Sequence, residues 1–102
     1  MQKLLLITVT GEMNPIEFKN HIVYKVQHYN THLLSPKHPE ITGNVESLSD
    51  DTIRIRAEGE ESDLQFVLEQ AKIGPILSHI QNVHYEWKPA GNKYKLFGIK
   101  RA

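Results

Sequence analysis

The sequence predicts an α+β sandwich: one antiparallel sheet with two helices on the same face. Three observations carry that expectation. Apolar residues recur with a period of two, then about 3.6, then two again, in the order β, α, β, β, α, β plus a C-terminal strand. Turn-forming residues punctuate the runs at Asn14-Pro15, Ser49-Asp50-Asp51 and Gly74-Pro75. The chain has 102 residues, one domain's worth, with no repeat, linker or low-complexity stretch.

Leu4 to Thr10 is apolar and β-prone, and Gly11 ends it, so a central strand is expected there. Glu12 to Phe18 reads as a loop, in which Pro15 removes one backbone donor. Lys19 to about His32 reads as a helix, because Ile22, Val26, Tyr29 and Leu33 fall on one stripe. Leu34 to Glu40 holds two prolines and reads as a loop. Thr42 to Leu48 and Thr52 to Glu58 are predicted strands. In the second, Ile53, Ile55 and Ala57 alternate with Arg54 and Arg56, the pattern of one buried and one wet face.

Ser62 and Gln65 have the spacing of a capping box, and Asp63 suits the positive end of a helix dipole. Leu64, Val67, Leu68 and Ala71 supply the buried face of this second helix, and Gly74-Pro75 stops it. Ile80 to Lys88 is a strand with Val83, Tyr85 and Trp87 on one side, read as core packing. Pro89 to Asn92 is a loop, and Tyr94 to Lys100 is the last strand. The order is that of the ferredoxin-like plan, two split β-α-β halves.

Twelve basic residues balance twelve acidic ones. That balance supplies no long-range field for nucleic acid or an anionic membrane, so neither partner is expected and any anion site must be local. No cysteine is present, which excludes disulfides, thiolate catalysis and Cys-zinc sites and favours a cytoplasmic location. The apolar run Leu4 to Ile7 is too short for a membrane span.

The segment Val9-Thr10-Gly11-Glu12-Met13-Asn14-Pro15-Ile16-Glu17-Phe18-Lys19, leading into a helix, resembles without a gap the acylphosphatase signature V-S-G-R-V-Q-G-V-G-F-R. Gly43 to Leu48 resembles that family's G-x-V-x-N-L segment, and Ala57-Glu58-Gly59 its A-E-G. Leu64 to Gly74-Pro75, then Val83 with Trp87, then Phe97 with Ile99, match its second half. The resemblance covers nearly the whole chain. It implies an acylphosphatase-like domain over residues 1–102 and a hydrolase acting on the carboxyl-phosphate bond of a small acyl phosphate. Neither cofactor nor metal is implied.

The resemblance assigns a phosphate-binding loop to Glu12, Met13, Asn14, Pro15, Ile16, Glu17 and Phe18, whose amides would cradle the phosphate. Lys19 stands where the family has its charge-neutralising arginine. Ser47 stands where it has the asparagine that orients water. These two are the implied catalytic residues, and the chemistry would rest on positioning and fixed donors. The departures set an expectation of weakened or lost activity. Lys19 lacks the two-pronged guanidinium. Ser47 is shorter than an amide. Pro15 and Glu17 replace loop glycines, and Glu12 replaces a basic residue. Losing one preorganised donor costs roughly 10²–10³ in rate. The alternative is a non-catalytic binding or interaction module on the same fold, and the sequence points to no particular protein partner.

Other constellations read as structural. His21, His28 and His32 share a side of the first helix with Lys25, and His38 follows in a loop. No third ligand is fixed by spacing, so a solvated face is expected rather than a metal site.

Overall fold

The computed structural model describes Met1–Arg101. Strand β1 (Gln2–Glu12), helix α1 (Pro15–His28), strands β2 (Thr42–Ser49) and β3 (Thr52–Glu60), helix α2 (Glu61–Ile73), and strands β4 (His79–Pro89) and β5 (Phe97–Ile99) follow in order. The five strands form one sheet in the order β4-β1-β3-β2-β5. Leu5, Ile7 and Val9 of β1 and Ile53, Ile55 and Ala57 of β3 are buried on the face that α1 covers with Phe18, Ile22 and Val26. Leu64, Val67, Leu68 and Ala71 of α2 close the same core, so both helices lie on one side.

The sheet departs from the antiparallel expectation at one edge. β5 pairs parallel with β2, Gly43 opposite Phe97 and Val45 opposite Ile99, which makes the sheet mixed. β5 is also shorter than the predicted Tyr94 to Lys100, because the chain must first cross from the β4 edge to the β2 edge. Buried Glu58 holds that crossing in place. Its carboxylate accepts the backbone N–H groups of Gly91 at 2.6 Å, Asn92 at 3.0 Å and Lys93 at 3.2 Å.

Helix α1 begins four residues earlier than predicted. Asn14 is its N-cap, accepting the Glu17 N–H on its side-chain oxygen at 3.1 Å, and Pro15 sits at the first helical position, where it lacks only a donor that would be unpaired anyway. The Asn-Pro pair therefore starts a helix rather than a loop. The far end also differs. A π-turn spans Tyr29–Leu33, closed by the Leu34 N–H donating to the Tyr29 carbonyl at 2.8 Å. That extra residue rotates Leu33 off the apolar stripe and into solvent, at 59% exposure. Asn30 then bridges to the backbone of Ile41 through both side-chain atoms, at 3.0 and 2.9 Å.

Helix α2 starts at Glu61, and the Ser62–Gln65 capping box does not form. The Glu61 N–H instead donates to the Met1 carbonyl at 3.1 Å, so the start of β1 satisfies the helix end. Gly74 ends the helix as predicted, at φ +66°, a region that a side chain disfavours. Gly11 is needed for another reason: a Cβ there would lie 2.3 Å from the His79 carbonyl oxygen of β4.

β4 is an edge strand, so its aromatic face is only half covered. Trp87 and Val83 pack against the core, whereas Tyr85 is 43% exposed beneath the Lys72 ammonium, contrary to the core reading. The histidines separate. His28 and His32 pack against each other with tilted rings, centroids 4.6 Å apart. His38 pairs with Asp63 at 2.8 Å. His21 has an enclosed Nε2 without a partner, and burial, with Lys25 adding, holds its pKa below the usual value against the opposing pull of Glu17. Among the described residues, no three metal-ligating side chains of these types stand together, and no helix is long and apolar enough to cross a membrane.

Buried Asp63 also accepts the Tyr29 hydroxyl at 2.7 Å. Desolvation first, then this hydrogen bond and the carboxylate charge, push the phenol up to about 12 from 10.0. A folded pKa above the unfolded one adds stability that is complete below the unfolded value and lost as pH rises through the folded value. Stability is therefore expected to fall between about pH 10 and 12. Tyr29→Phe should flatten that stretch of a urea-midpoint-against-pH curve, and an unchanged slope would exclude Tyr29 as its source.

Candidate functional site

The end of β1, the N-terminus of α1 and the β2–β3 turn meet at one end of the sandwich. They enclose an open cleft of about 740 Å³ lined by Met13, Asn14, Pro15, Ile16, Lys19, Leu48 and the polar residues Ser47, Ser49 and Asp50. Local sequence sets each wall. The Gly11 N–H donates to the Asp51 carbonyl at 3.0 Å, tying the exit of β1 to the turn. The turn itself is held by the Asp51 carboxylate, which accepts from the hydroxyls of Ser49 at 2.8 Å and Thr52 at 2.9 Å. Those two bonds keep the Asp51 carboxyl below its ordinary pKa.

Lys19 and Ser47, 28 positions apart, come together here: the Lys19 ammonium donates to the Ser47 hydroxyl at 3.4 Å. Lys19 lies one turn inside α1 and Ser47 near the end of β2. The fold thus gathers the two residues that the sequence singled out, across the mouth of a helix N-terminus, where partial positive charge favours an anion.

The loop residues distribute unevenly. Met13, Asn14, Pro15 and Ile16 line the cleft. Phe18 is fully buried in the core, so its part is to anchor α1. Glu12 ends β1 opposite His79. Glu17 lines a neighbouring cleft with His21 and Tyr24. Neither of these two carboxylates is among the lining residues of the Lys19 cleft. The one that does line it, Asp50, was not anticipated. Its position in a predicted turn of the adjacent hairpin was the available signal.

The donors are also uneven. Pro15 has no N–H. The Glu17 N–H is taken by the Asn14 side chain, and the Phe18 N–H by the Asn14 carbonyl at 2.9 Å. Among the described residues, the amides of Met13, Asn14 and Ile16 have no protein acceptor. A ligand anion would therefore meet a few free amides, a helix dipole and one ammonium.

Lys19 and Ser47 also face a second cleft, of about 600 Å³, shared with Asn20, Glu46, Lys100 and Arg101. The Glu46 carboxylate is engaged by Arg56, and the Lys100 ammonium lies 3.8 Å from it. The Arg56 hydrogen bond outweighs partial burial and keeps the Glu46 pKa below its ordinary value.

Comparison with known proteins agrees with this architecture. The family model for acylphosphatase matches residues 6–99. The acylphosphatase of Helicobacter hepaticus is 29% identical over 83 residues, 81% of either chain. That of Salinibacter ruber is 23% identical over 100 residues, covering 98% of this chain and 95% of its own. The crystal structure of the acylphosphatase from Bacillus subtilis superposes with a TM-score of 0.79 over 99% of this chain and all of that one, at 21% identity, a likeness of fold. The matched span runs from within β1 to the last residue of β5 and includes Lys19 and Ser47, and on that match the chain belongs to the acylphosphatase family.

Proposed function

We propose that the chain binds a phosphate group in the cleft at the N-terminus of α1 and hydrolyses acyl phosphates there at a rate well below that of an intact family site. One observation carries this reading: the 3.4 Å approach of Lys19 to Ser47 at the mouth of that cleft. The Lys19 ammonium neutralises phosphate charge as it builds in the transition state, and the free amides of the loop and helix end hold the equatorial oxygens. The Ser47 hydroxyl accepts a hydrogen bond from the attacking water and sets its line of approach to phosphorus. The water oxygen bonds to phosphorus, the bond from phosphorus to the acyl oxygen breaks, and carboxylate and inorganic phosphate leave with the released proton.

The low rate follows from the same geometry. Lysine offers a point charge where a guanidinium would grip two oxygens. Two amides of the first turn are already bound to Asn14, and Pro15 contributes none. Asp50 adds a like charge to the cleft, which opposes anion binding. The engaged amides also favour the second reading, an anion-binding module without turnover.

Hydrolysis of benzoyl phosphate by the natural chain and by Lys19→Ala separates the two. Turnover above background that Lys19→Ala reduces to background supports the slow enzyme. Turnover indistinguishable from background in both, with inorganic phosphate still bound by the natural chain, supports the module and overturns the enzyme.

A further inference from the structure

We infer that Arg101 is a second phosphate-binding residue of this site, supplying from the segment just after β5 the guanidinium that position 19 lacks. The inference rests on the anion site proposed above. Three observations lead to it.

The first is position. Arg101 lines the 600 Å³ cleft together with Lys19, Ser47 and Asn20, so it shares that cleft with the two residues that define the anion site.

The second is backbone support. β5 ends at Ile99, but the Lys100 N–H still donates to the Val45 carbonyl at 2.9 Å, so the parallel ladder continues one residue further. Phe97 and Ile99 face the core. Alternation then turns Lys100 to the outer face, where its ammonium stands 3.8 Å from Glu46, and returns Arg101 to the helix side, beside Lys19.

The third is charge. Among the described residues, no ion pair or hydrogen bond engages the Arg101 guanidinium, whereas the one carboxylate of that cleft, Glu46, is already paired with Arg56 and approached by Lys100. Three cations thus line one cleft with the Ser47 hydroxyl at the end of a helix dipole: Lys19 bonded to that hydroxyl, Lys100 near Glu46, and Arg101 uncommitted among the described residues. A guanidinium presents planar paired donors that suit a phosphate, and an ammonium adds charge from another direction.

The arrangement makes Lys19 and Arg101 partners, each incomplete alone. Asp50 lines the first cleft and not the second, so its like charge opposes an anion more in the first cleft than in the one that Arg101 lines.

The experiment is a titration with inorganic phosphate, followed by calorimetry and by the amide resonance of Ile16. It compares the natural chain with Arg101→Ala, Arg101→Lys and Lys37→Ala. Lys37 is an exposed residue that lines neither cleft, and its variant removes the same unit of charge. Arg101→Ala is expected to weaken phosphate binding about tenfold, as for loss of a charge-assisted hydrogen bond at a solvated site. Arg101→Lys should recover part of that loss, and Lys37→Ala should bind as the natural chain does. The dependence of affinity on salt should also be shallower in Arg101→Ala.

Phosphate bound equally well by Arg101→Ala and Lys37→Ala would overturn the role of Arg101 and leave the anion site standing. Binding weakened to the same extent in Arg101→Ala and Lys37→Ala, with Arg101→Lys binding as the natural chain does, would reduce the effect to net charge and overturn it as well. A natural chain that binds no phosphate would overturn both readings.

Discussion

The double variant Lys19→Arg, Ser47→Asn is expected to hydrolyse benzoyl phosphate about a hundredfold faster than the natural chain, because it restores two of the groups the geometry leaves short. Lys19 already stands at the cleft with Ser47 3.4 Å away, so both new side chains start from positions that line it. The guanidinium adds a second donor to the phosphate in the transition state, and the amide both donates and accepts around the water. Either correction alone is worth roughly 10²–10³ in rate where donors are fully preorganised. The two need not add, and Asp50 and the engaged amides remain. The gain should appear in kcat/KM by initial-rate assay, with the larger share in kcat if it acts on the transition state. No gain in the double variant, followed by a gain when Pro15→Gly is added, would move the main defect to the missing loop donor.

Much of this site was legible in the sequence because its parts are tied to local signals. The register from Val9 to Lys19 fixes the distance from the end of β1 to the cation, and the turn at Asp50-Asp51 fixes where β2 delivers Ser47. What was not legible depends on long-range pairing. The Asn14-Pro15 pair has the chemistry of a turn and of a helix start alike, and only the packing of Phe18 into the core selects the helix. Tyr85 alternates like a core residue, but β4 lies at the sheet edge, so one side of its face has no neighbour strand. The π-turn at Tyr29–Leu33 follows from Asp63 and Ile41, partners 34 and 11 positions away, which no local pattern could supply. Asp50 and Arg101 reach the clefts through a hairpin and a parallel edge strand, and neither residue type marks a site by itself.

Glu58→Ala is expected to cost about 3 kcal/mol of folding stability, the largest single loss of a residue outside the apolar core, because three backbone donors lose a charged acceptor at once. Glu58 is 4% exposed on β3, one strand in from β2, opposite Leu4 and Thr42. It collects the amides of Gly91, Asn92 and Lys93 as the chain leaves β4 for the opposite edge. Without that carboxylate the crossing is tethered only by its ends, and β5, three residues long, must hold the β2 edge alone. A loss of this size in a domain of about 100 residues lowers the thermal midpoint by on the order of 15 °C. Glu58→Gln should fall between, because its amide oxygen can still serve Gly91 and Asn92 while its NH₂ faces the Lys93 N–H. An Ala variant with an unchanged urea midpoint would show that the crossing contributes nothing to cooperative folding. If instead the midpoint falls as expected, phosphate affinity measured well below the transition should fall with it if Arg101 binds the anion as proposed, because loosening β5 also releases the segment that carries Arg101 to the cleft.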